Sequence, residues 1–281
     1  MSKAYILYNP MAGNGQIKND LDALEVVIDD EVIFTDLTKA ETLEKIVSAM
    51  DADDYMILCG GDGTLNRFAN DMARLNIKNE ILYYPCGTGN DFAAAFRAGQ
   101  GSNPFAITEY LQNLPMVTVK GKTYRFLNGV GFGIDGYCCQ EGDRLRQIPG
   151  KKVNYTMIAI QGLLSKYRAT GATVCVDGEI HRFDKVWIAP TMYGKYYGGG
   201  MIPAPQQKRG SNTLSTMVFH DSGKLRTLTI FPSIFKGKIT KYKKYVSVYT
   251  GREITVTFDE PRPLQIDGET ILDVTSYTAK R

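Results

Sequence analysis

Apolar residues in the first hundred positions come in short dense runs, and the stretches between them carry helical spacing. "AYILYNP" is a run ended by a turn, after which Leu21, Leu24, Val27 and Ile28 mark one face of a helix over 21–28. "EVIFT" predicts a strand, and Leu43, Ile46, Val47 and Met50 predict a helix over 41–50. "DYMILCGG" predicts a buried strand with a helix over 64–75 behind it; "EILYYPCG" predicts another, with a helix over 90–97. Strand–turn–helix units repeated in this way predict a parallel sheet covered by helices. Ligands of such sheets sit beyond the carboxyl ends of the strands, where "NPMAGNG", "GGDGT" and "PCGTGND" all fall.

Past residue 122 the pattern becomes strand-like: "TYRFLNGVGFGI", "GATVCVDGEI", "FDKVWIAPTMY", "STMVFH", "YVSVYTG" and "EITVTF", with helical stretches over 151–167 and 224–235. This predicts a second domain of β-sandwich type. The expected division is a Rossmann-like α/β domain over 1–122 and a β-sandwich domain over 123–273, with the tail 274–281 a candidate to return to the first. A change of pattern, rather than a flexible linker, marks the boundary.

Composition narrows the class. A chain of 281 residues can bury a sizeable core, in one large or two medium domains. A formal charge of +3 is too small to imply a nucleic-acid partner. The five cysteines, Cys59, Cys86, Cys138, Cys139 and Cys175, form no CxxC pair, which argues for a reducing compartment and against a disulfide framework. His181 and His220 are too far apart in sequence to point to a His-rich metal centre. The opening "MSKAYILYNP" has too short an apolar run for a signal peptide, and no apolar segment of 18 residues occurs. The expectation is a cytoplasmic protein.

The glycine-rich turns carry the candidate chemistry. Gly13 and Gly15 permit close approach before a helix whose free amides could hold an anion, although a plain turn would use the same residues. The P-loop spacing is absent. Gly60, Gly61 and Gly63 bracket Asp62, and Thr64 opens a helix. Glycine amides can bind phosphate oxygens, but Asp62 would repel them unless Mg²⁺ or a shared proton intervenes. The plain alternative makes Asp62 a helix cap. Thr88, Gly89, Asn90 and Asp91 repeat the formula, and three such loops on one sheet edge are less expected by chance than one. Gly131, Gly133 and Gly136 form GxGxxG without a βαβ unit around them, so they read as the second domain's entry strand, with Asn128 and Asp135 candidates to face a cleft. Asp-Gly occurs in "VDGEI" and in "QIDGETI", and each reads as a hairpin turn by itself.

In this order and spacing, "NPMAGNG", "GGDGTLN" and "PCGTGNDFA" resemble the catalytic domain of diacylglycerol kinases and their bacterial lipid-kinase relatives. Sphingosine and ceramide kinases are more distant members. The resemblance continues through "FLNGVGFGID", the glycines at 198–200, "IFKGKITKYKKYV" and "IDGE", and so covers nearly the whole chain. GGDGT alone also occurs in NAD kinases; GTGNDFA favours a lipid kinase. The resemblance implies an ATP-binding α/β domain, a β-sandwich domain and an active site in the interdomain cleft. By position, Asn9, Pro10, Met11, Ala12, Gly13, Thr35, Gly60, Gly61, Asp62, Gly63, Thr64, Leu65, Asn66, Thr88, Gly89 and Asn90 would contact ATP. Asp62, Asp91 and Asp267 would organise Mg²⁺, partly through water. Asp62, Asp267 and Glu269 would be catalytic, the last two matching the family's DGE, which supplies the general base. Phosphoryl transfer needs such neutralisation, positioning and a carboxylate near the attacking hydroxyl.

Over 231–245 the chain interleaves aromatics with Lys236, Lys238, Lys241, Lys243 and Lys244. Such a segment could approach an anionic lipid surface, each lysine contributing roughly 1 kcal/mol there; a solvated basic loop is the plain alternative. The stretch over 151–167 reads either as core or as a lipid entrance. Two departures from the resemblance stand out. Arg67 occupies a position where the family commonly has glutamate. From Ala204, "APQQKRGSNTLSTMV" replaces an aspartate-rich segment that holds a structural Mg²⁺ in some bacterial members. With Lys208 and Arg209 there, that second metal site is expected to be missing. The reading as a whole is an ATP- and Mg²⁺-dependent kinase of a diacylglycerol-like lipid, giving phosphatidic acid or a related phospholipid. It would be peripheral on the inner membrane face, without a nucleic-acid partner, and an exposed strand edge would be open to homodimer formation. A NAD kinase is the rival enzyme, and a weak nucleotide- or lipid-binding regulator the rival of another class.

Overall fold

The computed structural model describes residues 2–10, 12, 17–39, 43–75, 77–98, 103–148 and 153–281. Met11 and Gly13, expected to contact ATP, lie outside these, as do Gly15 and the first residues of the stretches expected over 41–50 and 151–167. The chain forms two compact units, Met1–Leu114 and Pro115–Arg281.

In the first unit β1 (Lys3–Tyr8) leads to α1 (Ile17–Val27), and β2 (Glu31–Asp36) to α2 (Leu43–Ala49). β3 (Tyr55–Gly60) leads to α3 (Asp62–Asp71), and β4 (Ile81–Pro85) to α4 (Asp91–Ala94), before β5 (Phe105–Ala106) and α5 (Thr108–Leu111). The sheet order is β2-β1-β3-β4-β5, parallel throughout except for β5, which runs antiparallel to β4. On one face Ile6, Ile57, Cys59, Tyr84 and Cys86 pack with Ile17 and Leu24 of α1. On the other, Tyr83 meets Phe92 and Phe105 edge to face. Burial on both faces is why β3 and β4 read as unbroken apolar runs. α1 begins at Ile17, before the predicted start; Ile17, Leu21 and Leu24 form its inner face, and Ile28, just past its end, packs against the same core. Val27, expected inward, is exposed.

In the second unit β6 (Met116–Val119), β7 (Lys122–Arg125) and β8 (Gly129–Phe132) precede α6 (Ile134–Arg146). α7 (Tyr155–Gln161) continues as a π-helical turn over Gly162–Lys166. β9 (Thr170–Val176), β10 (Glu179–Ile188), β11 (Thr191–Met192) and β12 (Leu214–His220) lead to α8 (Lys224–Ile230), which passes into 3₁₀ turns over Phe231–Lys236 and Ile239–Lys241. β13 (Val246–Gly251), β14 (Glu253–Ile266) and β15 (Glu269–Lys280) complete the unit. The order is β7-β6-β15-β14-β8-β11-β12-β10-β9, with β13 on β12. β14 pairs with β8 near its end and with β9 near its start, so the sheet closes on itself. Inside, Phe132 packs against Phe258 and Tyr277. Outside, α6, α7 and α8 share a core containing Ile134, Ile158, Trp187, Met217 and Ile230. Fully burying such side chains contributes about 1.5–3 kcal/mol each.

The division falls at Leu114/Pro115 rather than after 122, because β6 pairs with both β7 and β15. The tail 274–281 correspondingly stays in the second unit, as part of β15 against β14 and β6. Helix α6 stands where the GxGxxG stretch read as strand alone. Its glycines make room for packing: a Cβ on Gly133 would lie 2.6 Å from Trp187 O, and one on Gly136 1.9 Å from Pro263 O.

Candidate active site

β1, β3 and β4 are neighbours in the sheet, so their carboxyl ends lie side by side. β3 ends at Gly60 and α3 begins at Asp62, with Gly61 between them in an extended conformation. Space rather than φ demands glycine here. A Cβ on Gly87 would stand 2.4 Å from Gly61 Cα, and one on Gly60 2.6 Å from Thr64 Cβ. The loops after β3 and β4 therefore meet backbone to backbone, and Cys86 N donates to Gly60 O at 3.0 Å. Asn90, left-handed at φ 50, closes the second loop: its Oδ1 accepts Gly87 N–H at 3.0 Å and its Nδ2 donates to Gly87 O at 2.7 Å.

Asp62 ties the two loops together. Its carboxylate accepts the amide N–H groups of Asp91 at 2.9 Å and Phe92 at 2.8 Å, the first two residues of α4. Hydrogen bonds to a charged partner contribute about 1.5–3 kcal/mol each. The Tyr83 hydroxyl donates to Gly60 O at 2.9 Å; burial, reinforced by the Asp62 charge, pushes its pKa well above the usual phenol value. Asn9 Nδ2 donates to Thr64 Oγ1 at 3.5 Å, joining the first loop to the start of α3, and Ala12 N donates to Asn9 O at 2.9 Å. Pro10 follows on the same loop, and Thr35 sits beside Leu7 on β2. Gly63 lies in the first turn of α3, Leu65 and Asn66 are buried, and Thr88 and Gly89 are exposed at the loop tip. Arg67 is exposed on α3. All the described ATP-contact candidates thus fall at one end of one sheet.

Asp62 and the buried Asp91 place two carboxylates on these loops. That donor set suits Mg²⁺, which takes one or two carboxylates and completes its shell with phosphate oxygens and water. Among the described residues no group of three or more His, Cys, Asp or Glu is arranged to hold a metal unaided.

In the second unit the "IDGE" stretch is the β14–β15 turn, with Asp267 at φ 46 and Gly268 at φ 98. "VDGE" is the same kind of turn between β9 and β10, with Asp177 at φ 49 and Gly178 at φ 92. Hairpin and candidate site are therefore compatible. The Asp267 carboxylate is buried and accepts three amide N–H groups: Leu127 at 2.5 Å, Asn128 at 2.8 Å and Gly129 at 3.0 Å. Glu269, two residues on, is exposed at the start of β15. Arg209 braces the same amide strip: it donates to Leu127 O and, at 2.7 Å, to Asn128 Oδ1, with its guanidinium over the Tyr193 ring. Arg209 is thus tied to the segment that holds Asp267.

A sequence profile of the diacylglycerol kinase catalytic domain matches residues 3–119, and one of the YegS C-terminal NAD kinase beta sandwich-like domain matches residues 128–278. The chain belongs to the diacylglycerol kinase family. Family membership makes it a kinase, a phosphotransferase, with ATP the implied donor. This kinase is 24% identical over 299 residues to "Putative lipid kinase YtlR" of Bacillus subtilis (strain 168), covering 96% of this chain and 94% of that one. It is 26% identical over 233 residues to a "Putative lipid kinase" of Staphylococcus epidermidis (strain ATCC 12228), covering 78% and 71%. The solved structure "Crystal structure of a putative diacylglycerol kinase from Bacillus anthracis str. Sterne" superposes with a TM-score of 0.66 at 21% identity, over 99% of this chain and 92% of that one. That likeness is one of fold.

In the kinase the lysine segment follows α8. Ile234 and Ile239 are buried and pin its two 3₁₀ turns, leaving Phe235, Tyr242, Lys236, Lys238, Lys241, Lys243 and Lys244 exposed. No helix among the described residues is long and apolar enough to cross a membrane. Sequence reasoning named Asp135 only as a candidate to face a cleft, and missed Arg209 as a brace and Tyr197 and Gln265 as the buried neighbours of Asp135. Asp135, two residues after the GxGxxG glycine at 133, was the one local signal.

Proposed function

We propose that this kinase transfers the γ-phosphoryl group of ATP to the hydroxyl of a diacylglycerol-like lipid. The observation that carries the reading is the meeting of the glycine-rich loops after β3 and β4 at one sheet end, with Asp62 clamping one to the other and Asn9, just after β1, reaching Thr64. Those loops expose backbone where phosphates would bind, and the Asp62 clamp keeps the Asp91 loop in register with them. Mg²⁺, held by Asp62 and Asp91 and partly through water, would neutralise the phosphate charge. The exposed Glu269 is the proton acceptor for the lipid hydroxyl. Asp267, held by three backbone amides, fixes the turn from which Glu269 projects and keeps acceptor capacity for the water-mediated Mg²⁺ contact that the resemblance implies. The lysine segment supports approach to an anionic lipid surface, with Phe235 and Tyr242 entering its interface. Arg209 takes the place of a second, structural Mg²⁺.

The purified protein is incubated with labelled ATP and either diacylglycerol micelles or NAD. Label in the lipid is expected. Label in NAD alone would sink this reading in favour of the rival enzyme, and no transfer to any lipid of a panel would favour a binding regulator.

A further inference from the structure

Behind the Asp267–Gly268–Glu269 turn runs a buried polar chain that the reaction described above leaves unused. Asp135, the second residue of α6, is only 6% exposed, and its Oδ2 accepts a hydrogen bond from the Tyr197 hydroxyl at 3.1 Å. Gln265 Nε2 of β14 lies beside the same oxygen, since both atoms crowd the place a Cβ on Gly131 would take, and Gln265 helps to hold the carboxylate's pKa down. The other end of the Gln265 amide is fixed by the turn, since its Oε1 accepts the Gly268 N–H at 2.7 Å. A backbone N–H can only donate, so Oε1 must face Gly268 and Nε2 must face Asp135, which has to accept. Gly131 supplies the room: a Cβ there would lie 1.7 Å from Asp135 Oδ2 and 2.5 Å from Gln265 Nε2. Asp135 Oδ1 makes no hydrogen bond of good geometry, an expensive state for a buried carboxylate.

We propose that Asp135 is a positioning residue for phosphoryl transfer, acting through Gln265 to orient the turn that carries Asp267 and Glu269. The proposal rests on assigning those two residues to the reaction. Loss of the carboxylate charge weakens the chain, because a neutral carboxyl is a poorer acceptor for the Gln265 amide. Burial raises the Asp135 pKa to about 6, against the pull of the Gly136 and Asp135 amides, Tyr197 and Gln265. Around it, burial keeps Tyr197, Tyr167 and Tyr277 protonated, and Cys138 and Cys139 on α6 as thiols. Arg262 lies over the Tyr167 ring, with Glu260 paired to it. Asp143 and Arg146, further along α6, pair with each other.

The Gly268 amide, followed by ¹H–¹⁵N NMR in the full chain between pH 5 and 8, tests this directly. Its resonance is expected to titrate with a midpoint near 6, and to lose that step in Asp135→Asn and in Gln265→Met. A Gly268 resonance that shows no such step, or keeps it in Asp135→Asn, overturns the proposal. In transfer assays with ATP and a short-chain diacylglycerol, kcat/KM should fall below pH 6. Asp135→Asn, whose neutral amide oxygen is a poorer acceptor than the carboxylate, should lie roughly tenfold lower with the acidic limb gone. Gln265→Met should give a similar loss that does not add to the first. Wild-type kcat/KM in Asp135→Asn would also overturn the role. Absence of transfer in the unmutated protein, with the Asp135-dependent Gly268 step intact, would sink the lipid-kinase reading while leaving the link between Asp135 and the turn standing. If Asp135→Asn does not fold, Gln265→Met and Tyr197→Phe carry the same measurements.

Discussion

Asp267 and Glu269 stand two residues apart on one hairpin, yet their surroundings differ. Asp267 is buried with three amide donors on its carboxylate, while Glu269 is exposed. Asp267→Asn replaces an acceptor oxygen with a donor facing amide N–H groups, so it should cost about 1–3 kcal/mol of stability as well as activity. Glu269→Gln should leave the melting temperature within error and lower kcat by two or more orders of magnitude, in the range of a lost general base. Thermal denaturation beside turnover separates them; equal melting temperatures for the two variants would remove the distinction. Asp62 shows why sequence alone left cap and metal ligand open. Its two accepted amides lie 29 and 30 residues away in the chain, on a loop that only the sheet brings alongside.

At the scale of elements, the contact between the loops after β3 and β4 shapes the end of the first unit proposed to hold the phosphates. Gly87→Ala would put a methyl group 2.4 Å from Gly61 Cα, whereas Gly61→Ala would place one 3.1 Å from Gly87 Cα. Gly87→Ala should therefore be the more damaging, by a few kcal/mol of stability and with loss of ATP binding, as read by denaturant melts and nucleotide titration. The reverse ranking would show that the loops separate freely. The lysine segment is an element of another kind, with apolar anchors inward and charge outward. Neutralising Lys241, Lys243 and Lys244 together should weaken binding to anionic vesicles by up to about 3 kcal/mol at low salt, and by less at high salt. Unchanged co-sedimentation would mark these lysines as a solvated loop. Helix α6 was the element the pattern hid. Gly136, Gly142 and two adjacent cysteines blur its periodicity, and it follows β8 without the parallel strand that would have announced a βαβ unit.

Over the whole molecule, pH sets two opposing trends. Asp36 is held below the usual carboxylate range chiefly by its Thr38 hydrogen bond, Asp54 by the Asp51 amide and Asp259 by Arg182, so each supports folding above its unfolded pKa and loses that support in acid. Asp135 runs the other way. Its folded pKa of about 6 exceeds the unfolded 3.8, so its contribution is full below about pH 4 and is lost as pH rises through 6. The ionised form then costs about 3 kcal/mol at neutral pH. The melting temperature of Asp135→Asn minus that of the unmutated protein should therefore rise between pH 4 and 7 and level off above. A flat difference would place Asp135 in a wetter site. A buried carboxylate that destabilises the fold where it is ionised, and supports the turn only where it is ionised, is the signature expected of function over stability.

The sequence by itself determined the parallel α/β character of the first unit, the β-rich character of the second and the three glycine-rich loops with their family resemblance. These rest on local signals: apolar runs, helical spacing and turn residues. Tertiary structure decided the rest. The unit boundary follows from β6 pairing with β15, across about 160 residues that no local pattern spans. The clamp of Asp62 on α4, the three amides on Asp267, the Arg209 brace and the contact of Tyr197 with Asp135 beside the β14–β15 turn all join residues distant in sequence. Hydrogen bonds of that kind depend on distance and direction in space, and letter order encodes neither until the sheets have set their registers.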